Sequence, residues 1–228
     1  MQLSIIMPVL DEGDALADSL AALQDLRAAG HELVLVDGGS RDDSLRLAQG
    51  RVDRILHSPP GRARQMNAGA AAATGEVLLF LHADTRLPAT ALNDIAQALR
   101  TSVWGRFDVR LSGRAWPLRI IERLMNWRSC LTGMATGDQA IFVRRAVFEQ
   151  VGGYPDVPLM EDLELSRRLK RLSRPACVRA PVITSSRRWE EQGILRTVLL
   201  MWSLRLAWFL GVPPGRLARI YYPGRFDE

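Results

Sequence analysis

Short apolar runs that recur between helical stretches are the feature that most restricts what this chain can become. LSIIMPV at 3–9 is followed by DALADSLAALQDLRAAG at 14–30, where Leu16, Leu20, Leu23 and Leu26 recur at helical spacing. HELVLVDGGS at 31–40 reads as a second buried strand closing in a glycine turn. DDSLRLAQG, RILHS, GRARQMNAGAAAATG and EVLLFLHAD then continue as helix, strand, helix and strand, the last spanning 76–84. Strands apolar on both faces and separated by helices imply an α/β fold, a mostly parallel central sheet with flanking helices.

In such sheets ligands bind beyond the carboxyl ends of the strands. Three turns at that edge carry carboxylates: PVLDEG at 8–13, VDGGSRDDS at 36–44 and HADT at 82–85. Each alone is ordinary turn chemistry, with Asp11 able to cap the first helix and Asp42 or Asp43 the next. Three at one edge favour a site. The GxGxxG dinucleotide fingerprint is absent after the first strand, and no GK[ST] marks a phosphate loop.

The chain has 228 residues and is 47% apolar, enough for a sizeable core in one domain with an appendage. Basic residues number 30 against 25 acidic, a net +5, and Lys170 is the only lysine. Arginine favours planar contacts to phosphate or carboxylate. The arginines are scattered and not gathered with aromatics, so no specific nucleic-acid partner is expected. Cys130 and Cys177 lie far apart without CxxC spacing, which suggests neither zinc nor a disulfide and fits a reducing, cytoplasmic compartment. MQLSIIMPVLDEG reads as a strand entering a loop and not as a signal peptide. ILRTVLLMWSLRLAWFLGVPP at 194–214 falls short of the ~20 residues of a membrane span and is interrupted by Arg196 and Arg205. It suits a helix packed on the core or on a second copy in a homodimer, or a peripheral membrane contact.

PVLDE at 8–12, VDGGSRDDS at 36–44, GRARQMNAG at 61–69, LHADT at 81–85 and EDLELSRRLKR at 161–171, in that order, resemble the successive motifs of the inverting family 2 glycosyltransferases of GT-A fold. The resemblance covers roughly residues 1–190. It implies a GT-A-like domain there, a nucleotide-sugar half over about 1–110 and an acceptor half over about 111–190, with a C-terminal helical appendage at 191–228. VDGGS, LHADT, GDQAIFVRR and SSRRWE look most like a short bacterial subgroup linked to arsenosugar biosynthesis and to radical-SAM and selenium-related genes.

By the same resemblance the donor is a nucleotide-diphosphate sugar, UDP first and GDP second, and Asp84 ligates Mg²⁺ or Mn²⁺. Such a cation acts as Lewis acid and template for the departing diphosphate. Pro8, Leu10 and Glu12 would line the nucleotide pocket, Asp37 would meet the base or ribose, and Arg64 and Asn67, ahead of Arg62, would serve the donor. His82 stands where the family has an acidic residue; with Ala83 it is assigned to the donor site, as metal ligand, hydrogen-bond partner or packing residue. Gly38 replaces a second Asp. Gly137, Asp138, Gln139 and Glu161 fall in the sugar or acceptor region, as do Arg188 and Trp189, where Ser185 replaces the Gln of a QxxRW segment. Asp162 is the implied base, deprotonating the acceptor for a single inverting displacement. A nucleotidyltransferase-like enzyme, a degenerate nucleotide-sugar binder and a basic nucleic-acid module remain alternatives.

Overall fold

The computed structural model describes residues 1–222; positions 223–228 of the expected appendage lie outside the described residues. Its first half follows the expected alternation. Strands β1 (Leu3–Val9), β2 (Glu32–Asp37), β3 (Arg54–His57) and β4 (Val77–Phe80) are separated by helices α1 (Gly13–Ala22), α2 (Gln24–Ala28), α3 (Ser44–Ala48) and α4 (Arg62–Ala72). The leucine repeat at 16, 20, 23 and 26 faces the core, but the helix divides at Leu23, whose N–H tightens onto the Leu20 carbonyl at 3.2 Å. β4 stops at Phe80. Residues 82–85 fold into a turn closed by Thr85 N–H on the His82 carbonyl at 3.0 Å, which delivers the carboxylate of Asp84 off the strand.

β5 (Thr85–Arg86), helix α5 (Ala91–Ala98), β6 (Trp104–Leu111) and helix α6 (Trp116–Thr132) follow. A 3-10 turn (Gly137–Gln139), β7 (Phe142–Arg144), α7 (Arg145–Gln150), α8 (Glu161–Leu169) and β8 (Ala176–Thr184) complete the sheet region. α9 (Arg187–Glu191), α10 (Ile194–Phe209) and α11 (Pro214–Tyr221) close the described chain. The eight strands form one sheet in the order β3-β2-β1-β4-β7-β6-β8-β5. Four ladders are parallel, β3/β2, β2/β1, β1/β4 and β6/β8; the three that β7 and β5 make are antiparallel. The sheet is therefore parallel in its first half and mixed in its second.

All seven residues of β1 and all six of β2 are buried, because helices cover both faces. One core joins α1 and α5 to the sheet, with Leu16, Leu20, Ile95 and Phe107; the other seats α4, α7 and α8, with Met66, Phe80, Phe148 and Leu165. Gly69 lets α4 settle on the sheet, since a Cβ there would collide with Ile6. A third cluster, including Met134, Leu163, Leu204 and Leu217, fastens α10 and α11 to α8.

One expectation is overturned. Cys130 on α6 and Cys177 on β8 form a disulfide, their Cα atoms 5.9 Å apart across 47 residues of sequence. Spacing along the chain carries no trace of it, because the fold and not a local motif brings the two together. Among the described residues no helix is long and apolar enough to cross a membrane.

Candidate active site

Two adjoining cavities of about 620 and 290 Å³ open beyond the carboxyl ends of β1 and β4, sharing Glu12, Arg62, His82, Asp84, Leu159, Glu161 and Arg188 in their walls. Pro8, Leu10, Ala83 and Arg64 line the larger one; Gly137, Asp138, Asp162 and Trp189 line the smaller. The residues expected to carry chemistry thus converge, apart from three. Asp37 is buried behind the larger cavity and accepts bonds from the N–H groups of Gly39 and Ser40, both at 3.0 Å. Asn67 exchanges two bonds with the Tyr154 backbone, and Gln139 caps its own 3-10 turn through Thr136. None of the three side chains lines either cavity.

The loop after β1 is bound to the loop after β2 by side chains. Glu12 N–H donates to Ser44 Oγ at 3.1 Å, Gly13 N–H to Asp42 at 2.8 Å, and Arg41 N–H to Asp11 at 2.7 Å. Asp42 and Asp11 therefore tie one loop to the other. Gln65, which the sequence did not single out, is buried and donates to the carbonyls of both Val9 and Val36, at 2.8 and 2.9 Å. Its amide sits under Gly38, where a Cβ would lie 3.0 Å from Gln65 Nε2, so this glycine admits the clamp. Ser19 Oγ donates to the Ala83 carbonyl and pins the turn that carries Asp84.

Asp162 is held from two sides: Leu163 N–H donates to Oδ1 at 2.7 Å and Gly137 N–H to Oδ2 at 2.8 Å. It stands in the first turn of α8, behind Met160, a non-glycine residue in the left-handed region at φ 66°. Asp11 and Ala140 are also left-handed, at 55° and 46°, beside the β1 loop and the 3-10 turn. Backbone strain of this kind, about 1–3 kcal/mol per residue, gathers at functional sites. The His82 ring packs against Gly137, at which a Cβ would fall 2.8 Å from the imidazole.

Electrostatics bind the two cavities together. Burial, then the neighbouring charge of Asp162, pushes the Glu161 carboxyl up to about 7. Burial also raises Asp162 against its two backbone bonds, and it raises Asp84 and Glu12, which repel one another. Burial, and secondarily the charge of Arg62, lowers His82 to about 3, so its imidazole is neutral near pH 7. Arg62 interacts with Glu161, Asp162 and Asp84. Arg64, by contrast, pairs outward with Asp156 at 2.8 Å. Arg188 lies over the Tyr221 ring at 4.4 Å, and Met201, Leu204 and Arg205 of α10 complete the smaller cavity. For α10 the sequence offered an apolar helix interrupted by Arg196 and Arg205, with no sign that it lines a cavity.

The model of Glycosyl transferase family 2 matches residues 4–152. The chain belongs to that family. A PGL/p-HBAD biosynthesis glycosyltransferase of Mycobacterium bovis is 33% identical over 165 residues, which are 66% of this chain and 62% of that protein. The chain thus spans under two thirds of the length of this relative. TarS of S. aureus, crystallised with UDP-GlcNAc, superposes with a TM-score of 0.64 at 18% identity, over 81% of this chain and 58% of that one. Glucosyl-3-phosphoglycerate synthase of Mycobacterium tuberculosis, in complex with Mn²⁺, UDP and glucosyl-3-phosphoglycerate, gives 0.59 at 19% identity over 81% and 70%. Both likenesses bear on the fold, which is the GT-A architecture of family 2.

Proposed function

We propose that this family 2 protein moves a sugar from a nucleotide-diphosphate donor, UDP-linked before GDP-linked, to an acceptor hydroxyl with inversion at the anomeric carbon. The observation that carries this reading is Asp162, held by the N–H groups of Gly137 and Leu163 in the wall of a cavity that Asp84 and Arg62 also line. Asp162 takes the acceptor proton as the oxygen attacks, and in-line displacement inverts the centre. Glu161 stays beside it and, raised by burial and by Asp162 to about 7, exchanges its proton near neutrality. Arg62 and Arg188 neutralise diphosphate charge as it develops. The larger cavity takes the nucleotide between Pro8, Leu10 and the α4 start; Gly137, Asp138 and Trp189 take the sugar or acceptor.

Asp37, Asn67 and Gln139 serve this site from behind, by fixing the backbone that lines it. The domain division follows: residues 1–110 for the nucleotide sugar, 111–190 for the acceptor, and an appendage from 191 that closes the smaller cavity.

The residues fit a divalent cation of one kind. Among the described residues no three His, Cys, Asp or Glu side chains form a metal cluster. Asp84 offers one hard oxygen in a pocket where burial, and secondarily the charge of Asp138, raises its carboxyl, and where burial and then Asp84 raise Glu12. That donor set suits Mg²⁺ or Mn²⁺ held jointly by one carboxylate and the donor's phosphates. When bound, the cation supplies Lewis-acid stabilisation of the leaving diphosphate.

The finer assignments are membership of the arsenosugar-linked subgroup, supported by VDGGS, LHADT, GDQAIFVRR and SSRRWE, and a cytoplasmic enzyme whose C-terminal helix meets a second copy or the inner membrane surface. The Cys130–Cys177 pair weighs against a reducing compartment; thiol labelling in intact cells tests that. For the activity, thermal unfolding with UDP, GDP, CDP and dTDP, each with and without Mn²⁺, identifies the donor base. A ligand at a hundred times its Kd adds about 2.7 kcal/mol, roughly 5–11 °C for a chain of this size. A Mn²⁺-dependent shift with UDP, followed by UDP release from a UDP-sugar, supports the reading; pyrophosphate release would replace it with nucleotidyl transfer.

A further inference from the structure

Two helices carry apolar stripes that face away from the core. On α6, Trp116, Ile120, Leu124, Trp127 and Leu131 are 48–73% exposed. On α10, Leu195, Leu199, Trp202, Leu206 and Phe209 are 60–71% exposed. At ~100° per residue each set falls within an arc of about 80°, a single stripe.

The helices are neighbours. Ser112, just ahead of α6, meets the hydroxyl of Ser186, just ahead of α9, at 3.1 Å. Met134, just beyond α6, packs in one cluster with Leu204 of α10, and the charge of Arg205 on α10 acts on Arg128 of α6.

Charge around the stripes has one sign. Arg114, Arg123, Arg196, Arg216 and Arg219 are exposed, and residues 192–222 contain no Asp or Glu. The one acid of α6, Glu122, is turned to the Leu111 N–H and to Arg119. The exposed Glu190 and Glu191 of α9 mark the border. A second copy meeting this face through a twofold axis would set arginines against arginines. Anionic headgroups complement them instead, and tryptophan with arginine beside an apolar stripe suits the headgroup boundary.

We propose that α6 and α10 together seat the protein on an anionic lipid surface, their stripes entering the headgroup boundary and their arginines meeting lipid phosphate. This rests on the peripheral contact assigned above to the C-terminal helix and adds a second helix and the class of lipid. The other side of α10 supplies Met201, Leu204 and Arg205 to the smaller cavity, so seating brings the acceptor side of the site beside the bilayer.

The test is sedimentation of the full chain with phosphatidylcholine vesicles, with and without phosphatidylglycerol. Binding to the anionic vesicles is expected to be at least ~tenfold tighter. Trp127→Ser/Leu131→Gln and Trp202→Ser/Leu206→Gln should each weaken it by about tenfold, with circular dichroism and the UDP-dependent shift in Tm unchanged. No preference for anionic vesicles, or indifference to either double variant, overturns the proposal. So does a dimer by light scattering that both double variants dissolve. Loss of nucleotide response with lipid binding intact would count against the donor reading alone.

Discussion

The sheet edge on one side of the cavity and the helical wall on the other are built by different means. The loops after β1 and β2 are locked by directional bonds, Glu12 to Ser44, Gly13 to Asp42 and Gln65 to two strand carbonyls. α10 and α11 are held mainly by an apolar cluster and by Arg188 over Tyr221. Directional bonds fix atoms in place; apolar contact fixes only which surfaces meet. On the proposed reading, the edge is preorganised for the donor nucleotide, while the wall, less tightly fixed, takes the acceptor. Asp162 belongs to both, since α8 packs with the wall while the Gly137 N–H ties its carboxylate to the 3-10 turn that leads into β7.

If that division is right, the sharpest break is Asp162→Asn. Turnover should fall by about 10³-fold while UDP affinity stays within about threefold, measured by UDP release and calorimetry. Asp84→Ala should do the reverse, costing at least the ~10–100-fold in Mn²⁺-dependent UDP affinity that even outer-shell losses cost at metal sites. Equal effects of the two on binding would abolish the distinction between edge and wall. Gly137→Ala probes the joint between them: its methyl would stand 2.8 Å from the His82 ring, and turnover should drop about tenfold through misplaced Asp162, with UDP affinity kept.

Acidity gives a subtler comparison. Glu161 ionises at about 7 in the folded chain against an ordinary 4.5, and Asp162 is also raised. A base must be ionised to act, so kcat/KM should be lost on acidification at a pH above that of an ordinary aspartate, because burial raises Asp162. Stability runs the other way. The unfolded chain loses these protons first, so without metal or nucleotide the fold is destabilised as pH rises from 4.5 to about 7, and Glu161→Gln should flatten that fall in Tm. The smallest effect on turnover belongs to Cys130→Ser/Cys177→Ser. Activity should stay within about twofold, yet Tm should fall by about 5 °C or more, since a bridge across a loop of this length is worth roughly 2–4 kcal/mol.

The same contrast decides what the sequence could tell. β1 to β4 and their helices were legible because local periodicity and burial agree there, and the ordered motifs pointed to Asp84 and Asp162, which line one cavity. Asp37, Asn67 and Gln139 were assigned to ligands, but the fold turns their polar atoms on its own backbone. Arg62 was ranked below Arg64, and only the placement of α8 across from α4 brings it among carboxylates while Arg64 turns out to Asp156. The disulfide, and the share of α10 in the cavity, depend on contacts between segments far apart in sequence.

Met160 has a last consequence. It holds a conformation that glycine reaches without strain, one residue ahead of the acidic pair on α8. Its side chain is also packed in the cluster that fastens α10 and α11 to α8, so Met160→Gly would give up about 2–5 kcal/mol of packing to relieve a strain of about 1–3 kcal/mol. One residue thus anchors the helical wall and sets the entry of α8, and neither role can be altered without disturbing the other.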